Sequence, residues 1–323
     1  MNIFHTSNVA VLIAVYNGEK YLAEQLDSLL AQTYTDWIAY IHDDGSSDRT
    51  PMILEQYAHR YPERFILLDG EATGSAKDNF FYLFGSVEAP LYMCCDQDDV
   101  WLADKIEKTL REMRLAERET DIPCLVYTDL KIVDESLHVI SGSMDQYQKL
   151  NCRDARINHV LVQNVVTGCT MMINRQLRDM ILSLKDREKI VMHDWWAALI
   201  AAQFGVLHYL DEATILYRQH DENDTGAKKI DLAWYIRKIL FHRRDMKHSL
   251  EMMRKQAEAL TDTFQVEPDS AAAAYAVIHK CPKLKRMKIY RKYKITSKPP
   301  SPHIPEIPDS VPAKALSDFR GRT

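Results

Sequence analysis

The first half of the chain alternates apolar runs with amphipathic stretches. Residues 9–16, VAVLIAVY, are apolar throughout, which is typical of a strand that is covered on both faces. The next stretch places four leucines on one helical face. Further apolar runs begin at Trp37, Phe65 and Ala89, and a helical or turn-forming segment precedes each of them. This βαβαβ order predicts a parallel sheet with right-handed crossovers.

The pattern weakens after the fourth strand but still predicts elements. They are a helix near residues 104–118, a strand at 124–134, a strand entering a helix at 166–177, a helix at 193–205 and a strand with a polar loop at 213–223. Residues 141–163 show no periodicity. Residues 231–260 are amphipathic and basic, and the Pro-rich stretch from residue 297 is expected to be disordered. We therefore predict an α/β domain at 1–228, a helical basic extension at 229–296 and a tail at 297–323.

Composition and charge narrow the class of protein. Apolar residues make up 46% of the chain and charged ones 27%, which is the balance of a globular protein with a sizeable core. The net charge of −5 argues against a general nucleic-acid binder. Residues 280–298, however, carry nine Lys or Arg and no acid. This segment predicts peripheral contact with an anionic membrane surface, with a solvated helix face or a disordered tail as the alternative.

The cysteines and the apolar runs indicate in which cellular compartment the protein is found. The six cysteines match no CxxC spacing, so we expect reduced thiols in a cytosolic protein. The chain has no run of 18 apolar residues, and its N-terminus lacks the basic region of a signal peptide. We therefore expect a cytoplasmic protein whose membrane contact, where it occurs, is peripheral and at the inner face.

Acidic residues follow two of the predicted strands. The apolar run at residues 91–95 ends in Asp96, Asp98 and Asp99, and an earlier strand ends in Asp43 and Asp44. Ligands of parallel sheets gather at the carboxyl ends of the strands. Mg²⁺ and Mn²⁺ prefer oxygen ligands, and Mg²⁺ commonly uses one or two carboxylates together with substrate phosphates. The alternative is a solvated turn in which Asp98 or Asp99 caps the next helix.

Two common phosphate-binding loops are absent from the sequence. The stretch HDDGSSD has neither the Gly and Lys spacing of a Walker loop nor the GxGxxG pattern of a dinucleotide fold. Ser46, Ser47 and Asp48 fit a turn and a helix cap instead. An acid at the end of this strand is suited to accept hydrogen bonds from a base N–H or from ribose hydroxyls.

Several stretches together resemble a known family. The run VLIAVYNGEKYLAEQLDSLLAQTYTDWIAYIHDDGSSDRT, followed by CCDQDDVW, resembles the family 2 glycosyltransferases. These are inverting enzymes of the GT-A fold that use nucleotide-diphospho-sugars. The later stretches TGCTMMINRQL, HDWW and LYRQHDEN resemble the rhamnosyltransferase-like branch of bacterial polysaccharide synthesis. The resemblance covers residues 8–225 and implies a Rossmann-like, mixed but mainly parallel sheet flanked by helices.

The resemblance also assigns candidate site residues. It implies nucleotide-sugar binding by Ala14, Tyr16, Glu19, Asp44, Lys77, Asn79, Asp96 and Gln97. Within that set, Asp44 matches the aspartate that accepts from the pyrimidine N3–H. Asp98 and Asp96 match the DxD pair that holds a divalent cation, Mg²⁺ or Mn²⁺. His220 matches a position where some relatives place a further metal or phosphate contact.

A second group of residues is assigned to catalysis. Asp194 in HDWW matches the general base of the family. The neighbouring Trp195 and Trp196 are candidates to raise the pKa of Asp194 by desolvation or to offer a ring face to the sugar or the acceptor. A role in the core is the alternative for one of the two tryptophans.

The sequence departs from the polymer-forming members of the family. It lacks their QxxRW motif, so we expect transfer of one sugar to a saccharide or lipid-linked acceptor. The expected donor is a dTDP- or UDP-sugar, and no nucleic acid is expected as a partner. The alternatives are a nucleotidyltransferase, for which AVYNGEKY is a poor triphosphate loop, and a binding module without turnover.

Overall fold

The computed structural model describes residues 7–117, 122–220 and 243–295. Its strands are β1 (Val9–Val15), β2 (Trp37–Asp43), β3 (Phe65–Leu67), β4 (Leu91–Asp96), β5 (Val100–Trp101), β6 (Cys124–Val133), β7 (Val139–Ser141), β8 (Met171–Asn174) and β9 (Val206–Arg218). Its helices are α1 (Leu22–Leu30), α2 (Thr50–Arg60), α3 (Ala76–Ser86), α4 (Lys105–Ala116), α5 (Met144–Gln148), α6 (Ile157–Val160), α7 (Arg175–Leu182), α8 (His193–Phe204), α9 (Arg243–Thr263), α10 (Ala271–Ala276) and α11 (Lys283–Lys292). Residues 229–242 of the predicted extension and the predicted tail at 297–323 lie outside the described residues.

The strands of the described chain form one mixed sheet. Their order is β3-β2-β1-β4-β8-β6-β9-β5, and β7 pairs with β6. Strands β3, β2, β1 and β4 are parallel, as the βαβαβ order predicted. Strand β8 is antiparallel to both of its neighbours, whereas β9 runs parallel to β6 and antiparallel to β5. The predicted α/β fold class is therefore confirmed.

Alternate residues of the central strands face two apolar layers. In β1, Ala10 and Leu12 pack into the layer that contains α3, α7 and α8. Val9, Val11 and Ile13 pack into the opposite layer, with α1, α2 and α4. Covering both faces requires a strand without polar positions, which explains the uninterrupted apolar run of β1. It also leaves the ends of the strands as the place where polar chemistry can be accommodated.

The described part of the extension shares its core with the α/β domain. Leu260 in α9, Tyr275 in α10 and Ile278 are buried in the same apolar layer as α8. Phe264, which follows α9, stacks on the ring of Trp196 in α8 with 6.1 Å between the ring centres. These helices therefore extend the apolar layer that contains α8 rather than enclosing a core of their own.

Two further expectations concern the cysteines and the membrane. All six cysteines are unpaired, and five of them are buried, which confirms that they form no disulfide framework. Among the described residues, no helix is both long and apolar enough to span a bilayer.

Candidate functional site

Three strand ends bring the acidic residues to one edge of the sheet. Ala14 in β1 lies opposite Asp96 in β4, and Val15 lies opposite Asp43 in β2. Because these strands are parallel, the loops that follow them meet on the same side. The convergence predicted from the apolar runs is present, and we call this side the acidic edge.

The loop after β1 is held by the loop after β2. Asn17 adopts a left-handed backbone conformation with a φ of 49°, which Asn tolerates better than most residues. Its N–H donates to the hydroxyl of Ser46 at 2.7 Å, and its side chain accepts from the N–H of Ser47 at 2.9 Å. The N–H of Gly18 donates to Thr50 at 2.7 Å. These bonds order the segment that carries Tyr16 and Glu19.

Asp48 lies just before α2 and accepts hydrogen bonds there, as the predicted helix cap requires. Its carboxylate accepts from the N–H of Thr50, the first residue of that helix, at 2.9 Å and from the N–H of Glu19 at 3.1 Å. Glu19 in turn accepts from both the backbone N–H and the Nε of Arg49, at 2.9 Å and 3.2 Å. Glu19 therefore lies at the acidic edge as predicted, and its carboxylate is paired in this structure.

Gln97 joins the ends of β1 and β4. Its side chain accepts from the N–H of Tyr16 at 2.6 Å and donates to the carbonyl oxygen of Tyr16 at 2.7 Å. The ring of Tyr16 is 57% exposed, so it is available to a ligand. Gln97 thus orders the predicted nucleotide side through the backbone of Tyr16.

Asp44 lies at the end of β2 and is 8% exposed. Its two carboxylate oxygens accept from the backbone N–H of Thr73 and of Gly74, the latter at 3.0 Å. Each carboxylate oxygen has a second lone pair with which it can accept a further hydrogen bond. The carboxylate therefore also anchors the loop that precedes α3.

Lys77 and Asn79 both lie in α3, but their side chains contact different parts of the fold. The ammonium of Lys77 donates to the carbonyl oxygen of Arg187 at 2.9 Å. Asn79 is 2% exposed, and its amide bridges the ring Nδ1 and the carbonyl oxygen of His42 at 2.9 Å and 3.3 Å. Asn79 therefore braces β2 through His42, and its contact with the donor stays a prediction.

The end of β9 holds the acidic turn that follows β4. The ring Nε2 of His220 lies 2.8 Å from Oδ2 of Asp98. The backbone N–H of Arg218 donates to Oδ1 of Asp99 at 3.1 Å, and its Nε donates to the carbonyl oxygen of Asp98 at 2.9 Å. The resemblance placed His220 near the metal site, and the structure brings it against Asp98. Asp99 is fully buried and braces the turn by accepting from the Arg218 backbone.

Burial and neighbouring charges change the protonation of this turn. Burial raises the pKa of Asp99 well above its usual range, and the charges of Asp98 and Asp96 raise it further. The donor atoms of Asp96, Asp99 and Cys169 lie within 4.8 Å of one another. Burial and the same acids also raise the pKa of the Cys169 thiol. A protonated thiol is a poor ligand for a hard cation, so the side of the turn where Asp98 and His220 lie, with side chains 15% and 8% exposed, fits a cation better.

Lys105, at the start of α4, is a charged residue that the sequence pattern did not single out. It is fully buried, and its Nζ lies 4.6 Å from the centre of the Trp101 ring. Burial lowers the pKa of its ammonium to about 8, and the charge of Asp99 opposes this effect. Lys105 therefore supplies a positive charge behind the acidic turn. A lysine at a helix start is usually exposed, so its sequence position offered no signal.

Asp194 lies in the first turn of α8 and is 8% exposed. Burial raises the pKa of its carboxyl to about 6, whereas hydrogen bonds from the N–H groups of Trp195 and Gly168 and from the Asn164 amide lower it. The Asn164 amide lies 3.2 Å from Oδ1. Gly168 is followed directly by Cys169, so one short turn connects Asp194 with the acidic edge. A carboxyl with a pKa near neutrality is suited to general base catalysis.

The two tryptophans beside Asp194 are both largely covered. Trp196 is 0% exposed, and its indole N–H points to the carbonyl oxygen of Ile181 at 3.4 Å. The expectation that Trp196 contacts sugar or acceptor is therefore wrong, and the core alternative holds for this residue. Trp195 is 9% exposed and donates to the carbonyl oxygen of Val160 at 2.7 Å. Its contact with a sugar remains a prediction.

Known proteins share both the sequence pattern and the fold. The sequence profile of Glycosyl transferase family 2 matches residues 10–180. The dTDP-rhamnosyl transferase RfbG of Shigella flexneri is 30% identical over 227 residues, which cover 67% of this chain and 74% of that protein. The uncharacterized glycosyltransferase RT0329 of Rickettsia typhi is 25% identical over 228 residues, which cover 70% of this chain and 69% of that protein.

Solved structures support the same assignment at the level of the fold. The crystal structure of S. aureus TarS 1-349 superposes with a TM-score of 0.52 at 18% identity, covering 84% of this chain and 70% of that one. The TarS 1-349 complex with UDP-GlcNAc gives a TM-score of 0.51 at 17% identity, covering 88% of this chain and 80% of that one. With the profile match and the mixed sheet, these similarities show that the chain belongs to glycosyltransferase family 2 and is a glycosyltransferase of the GT-A fold.

Proposed function

We propose that this glycosyltransferase moves one sugar from a nucleotide-diphospho-sugar to a saccharide or lipid-linked acceptor, with inversion at the anomeric carbon. The observation that carries the proposal is a buried carboxyl of raised pKa, Asp194, connected by a single turn to the carboxylates of the acidic edge. Family membership removes nucleotidyl transfer as an alternative. The similarity to a dTDP-rhamnosyl transferase favours dTDP-rhamnose as the donor, and another dTDP- or UDP-hexose is the alternative. The product is a bacterial cell-surface polysaccharide or its precursor.

The acidic edge fits a divalent cation. The carboxylates of Asp96 and Asp98 and the imidazole of His220, which lies against Asp98, would supply oxygen and nitrogen ligands that suit Mg²⁺ or Mn²⁺. The protein supplies too few ligands to enclose the ion, so diphosphate oxygens from the donor would complete its coordination. When bound, the cation neutralises charge that develops on the departing nucleoside diphosphate.

Asp194 is the general base of the proposed reaction. Its carboxylate accepts the proton of the acceptor hydroxyl while that oxygen bonds to the anomeric carbon and the bond to the diphosphate breaks. Inversion requires one base and no nucleophilic carboxylate. Burial raises the pKa of the Cys94 thiol, and the charges of Asp96 and Asp194 raise it further, which supports the proximity of the base to the acidic edge.

The nucleotide occupies the side of the edge that β1 and β2 form. The exposed ring of Tyr16 offers a surface for stacking, and the remaining acceptor positions of Asp44 face a base N–H or ribose. Ala14 lines the same side, opposite Asp96.

The basic helix α11 positions the enzyme at an anionic membrane surface. Ile289 packs towards the core, whereas Leu284 and Met287 are 75% and 46% exposed. Helical spacing puts Lys288 and Arg291 on this outward face with the two apolar side chains. Exposed apolar residues flanked by cations fit the boundary between lipid headgroups and acyl chains. A lipid-linked acceptor would be found at that boundary.

Calorimetry tests the donor and cation parts of the proposal. Wild type is titrated with dTDP, UDP and GDP, with and without Mn²⁺. We expect dTDP or UDP to bind and Mn²⁺ to strengthen its binding, because the carboxylates of the acidic edge would hold the cation beside the diphosphate. Asp98→Ala should lose the strengthening, while Asp36→Ala, at the opposite end of β2, should keep it. Failure of wild type to bind any nucleoside diphosphate would refute the proposed function.

A further inference from the structure

Arg218, the last residue of β9, connects three segments at the acidic edge. It is 1% exposed. Its Nε donates to the carbonyl oxygen of Asp98 at 2.9 Å, and its Nη2 donates to the carboxylate of Glu24 in α1 at 2.5 Å. Its Nη1 donates to the carbonyl oxygen of Glu135 in the loop after β6. The backbone N–H of Arg218 adds the bond to Asp99.

An aromatic ring also helps to hold the planar guanidinium of Arg218 in place. Its central carbon lies 4.3 Å from the centre of the Tyr21 ring, and the same ring lies 5.1 Å from that of His220. His220 contacts the Asp98 carboxylate at 2.8 Å, whereas Arg218 contacts the Asp98 backbone. Two residues at the end of one strand therefore hold both the main chain and the side chain of Asp98.

Arg178 shows what a purely structural buried arginine looks like in this fold. Its side chain is 6% exposed, pairs with Glu88 at 2.6 Å and donates to the hydroxyl of Tyr92 at 3.1 Å. Arg178 lies near the start of β4, away from the acidic edge, because residue 174 pairs with residue 91. Arg218 differs in that two of its acceptors are backbone carbonyls of loops that border the edge. Backbone acceptors fix the course of a turn, and only a planar fork reaches several of them together.

We propose that Arg218 is a positioning residue, which fixes the Asp98–Asp99 turn so that the Asp98 carboxylate is presented to the cation and the donor diphosphate. This inference rests on the proposed function and deepens it. Without the fork, the turn would have to be ordered when the cation binds, and the entropy of ordering would reduce affinity. Lysine keeps the charge of Arg218 but lacks the planar fork that donates to all three acceptors together.

Mn²⁺ binding in the presence of dTDP, followed by calorimetry and by electron paramagnetic resonance of the free ion, tests this role without relying on turnover. We expect Arg218→Lys to weaken Mn²⁺ binding by about tenfold, as supporting residues around a metal commonly do. Binding of dTDP without the ion should stay within about twofold of wild type. The matched variant Arg178→Lys removes an equally buried arginine and should lower the melting temperature while leaving Mn²⁺ affinity unchanged.

The outcomes separate the inference from the function on which it rests. Wild-type Mn²⁺ affinity in Arg218→Lys, or an equal loss in Arg178→Lys, would overturn the positioning role and leave the proposed function intact. Absence of Mn²⁺ and dTDP binding in wild type would overturn both. If Arg218→Lys does not fold, Glu24→Gln takes its place. The Glu24 side chain is 55% exposed, and the substitution removes the charged acceptor of the Arg218 guanidinium. We expect about threefold weaker Mn²⁺ binding from Glu24→Gln, and an unchanged affinity would overturn the inference.

Discussion

Asp194 shows how one buried side chain acquires the proton affinity of a general base. Burial raises the pKa of its carboxyl from 3.8 to about 6, and three hydrogen-bond donors keep it from rising further. The same donors orient the carboxylate. The neighbouring His193 is buried, and burial lowers the pKa of its ring to about 3, so it stays neutral and adds no charge beside Asp194.

The raised pKa predicts the pH dependence of transfer. Only the carboxylate form of Asp194 accepts a proton, so kcat/KM should decline as the pH falls through about 6. Asn164→Ala removes a hydrogen bond that lowers the pKa, and the midpoint should therefore move to higher pH. Nucleotide release measured between about pH 4.5 and 8 checks both expectations. A decline centred near the ordinary aspartate value of about 4 would contradict the role of burial.

The same burial has a cost in stability. An acid whose pKa is raised on folding destabilises the folded state as the pH rises through its unfolded and then its folded value. At about 1.4 kcal/mol per pKa unit, the cost at pH 7 reaches about 3 kcal/mol. Asp194→Asn should therefore be more stable than wild type at pH 7, and the gain should vanish near pH 4. Urea unfolding at the two pH values measures it, and a variant less stable than wild type at pH 7 would contradict this account.

At the scale of elements, the nucleotide side of the edge depends on contacts between strand ends. Gln97 after β4 bonds to both backbone groups of Tyr16 after β1. Gly18 lies against this amide, since a Cβ at Gly18 would lie 2.8 Å from Oε1 of Gln97. The absence of a side chain at residue 18 thus allows the two loops to close on each other.

Gly18→Ala should weaken nucleoside-diphosphate binding by about tenfold, because the added methyl group displaces Gln97 from its two hydrogen bonds. Combining it with Gln97→Ala should add little, since both changes remove the same contact. Gly142→Ala is the matched control, because a Cβ there would meet nothing within 4 Å. Calorimetry with dTDP or UDP compares wild type, the single variants Gly18→Ala and Gln97→Ala, the double variant and Gly142→Ala. Fully additive losses in the double variant would show that Gly18 acts by another route.

The elements also show how far local pattern predicts this site. Apolar runs buried on both faces located β1, β2 and β4, and with them the acidic edge, because a two-sided core tolerates no polar position. Arg218 and Cys169 were missed, since their contacts join residues that are far apart in sequence. Residues 141–163 contain α5 and α6, which are five and four residues long and too short to show helical periodicity.

At the scale of the whole molecule, charge is distributed unevenly over the fold. The apolar layer that contains α8 is extended by the described helices of the extension, and the basic helix α11 lies at its outer side. Under the proposed function, the acidic edge and the basic helix would attract different partners, a cation with a diphosphate in one case and an anionic surface in the other.

Liposome flotation tests the membrane role of α11. Reversing Lys288 and Arg291 to Glu should weaken binding to vesicles of phosphatidylcholine with phosphatidylglycerol by about 2 kcal/mol or more, at about 1 kcal/mol per cation. The matched double reversal of the exposed Arg111 and Arg114 in α4 should bind like wild type. Pure phosphatidylcholine vesicles should bind none of the three proteins. Equal flotation of both variants on anionic vesicles would remove the membrane role of this helix.

Release of nucleotide from a panel of nucleotide-diphospho-sugars, with Mn²⁺ present, tests the central claim most directly. We expect wild type to consume one dTDP- or UDP-sugar, first dTDP-rhamnose, and to accelerate when a saccharide or lipid-linked acceptor is supplied. In Asp194→Asn and in Asp98→Ala the rate of nucleotide release should fall by about a hundredfold or more, and Asp194→Asn should still bind the donor. Consumption of no nucleotide-sugar by wild type, or turnover by Asp194→Asn at the wild-type rate, would contradict the account.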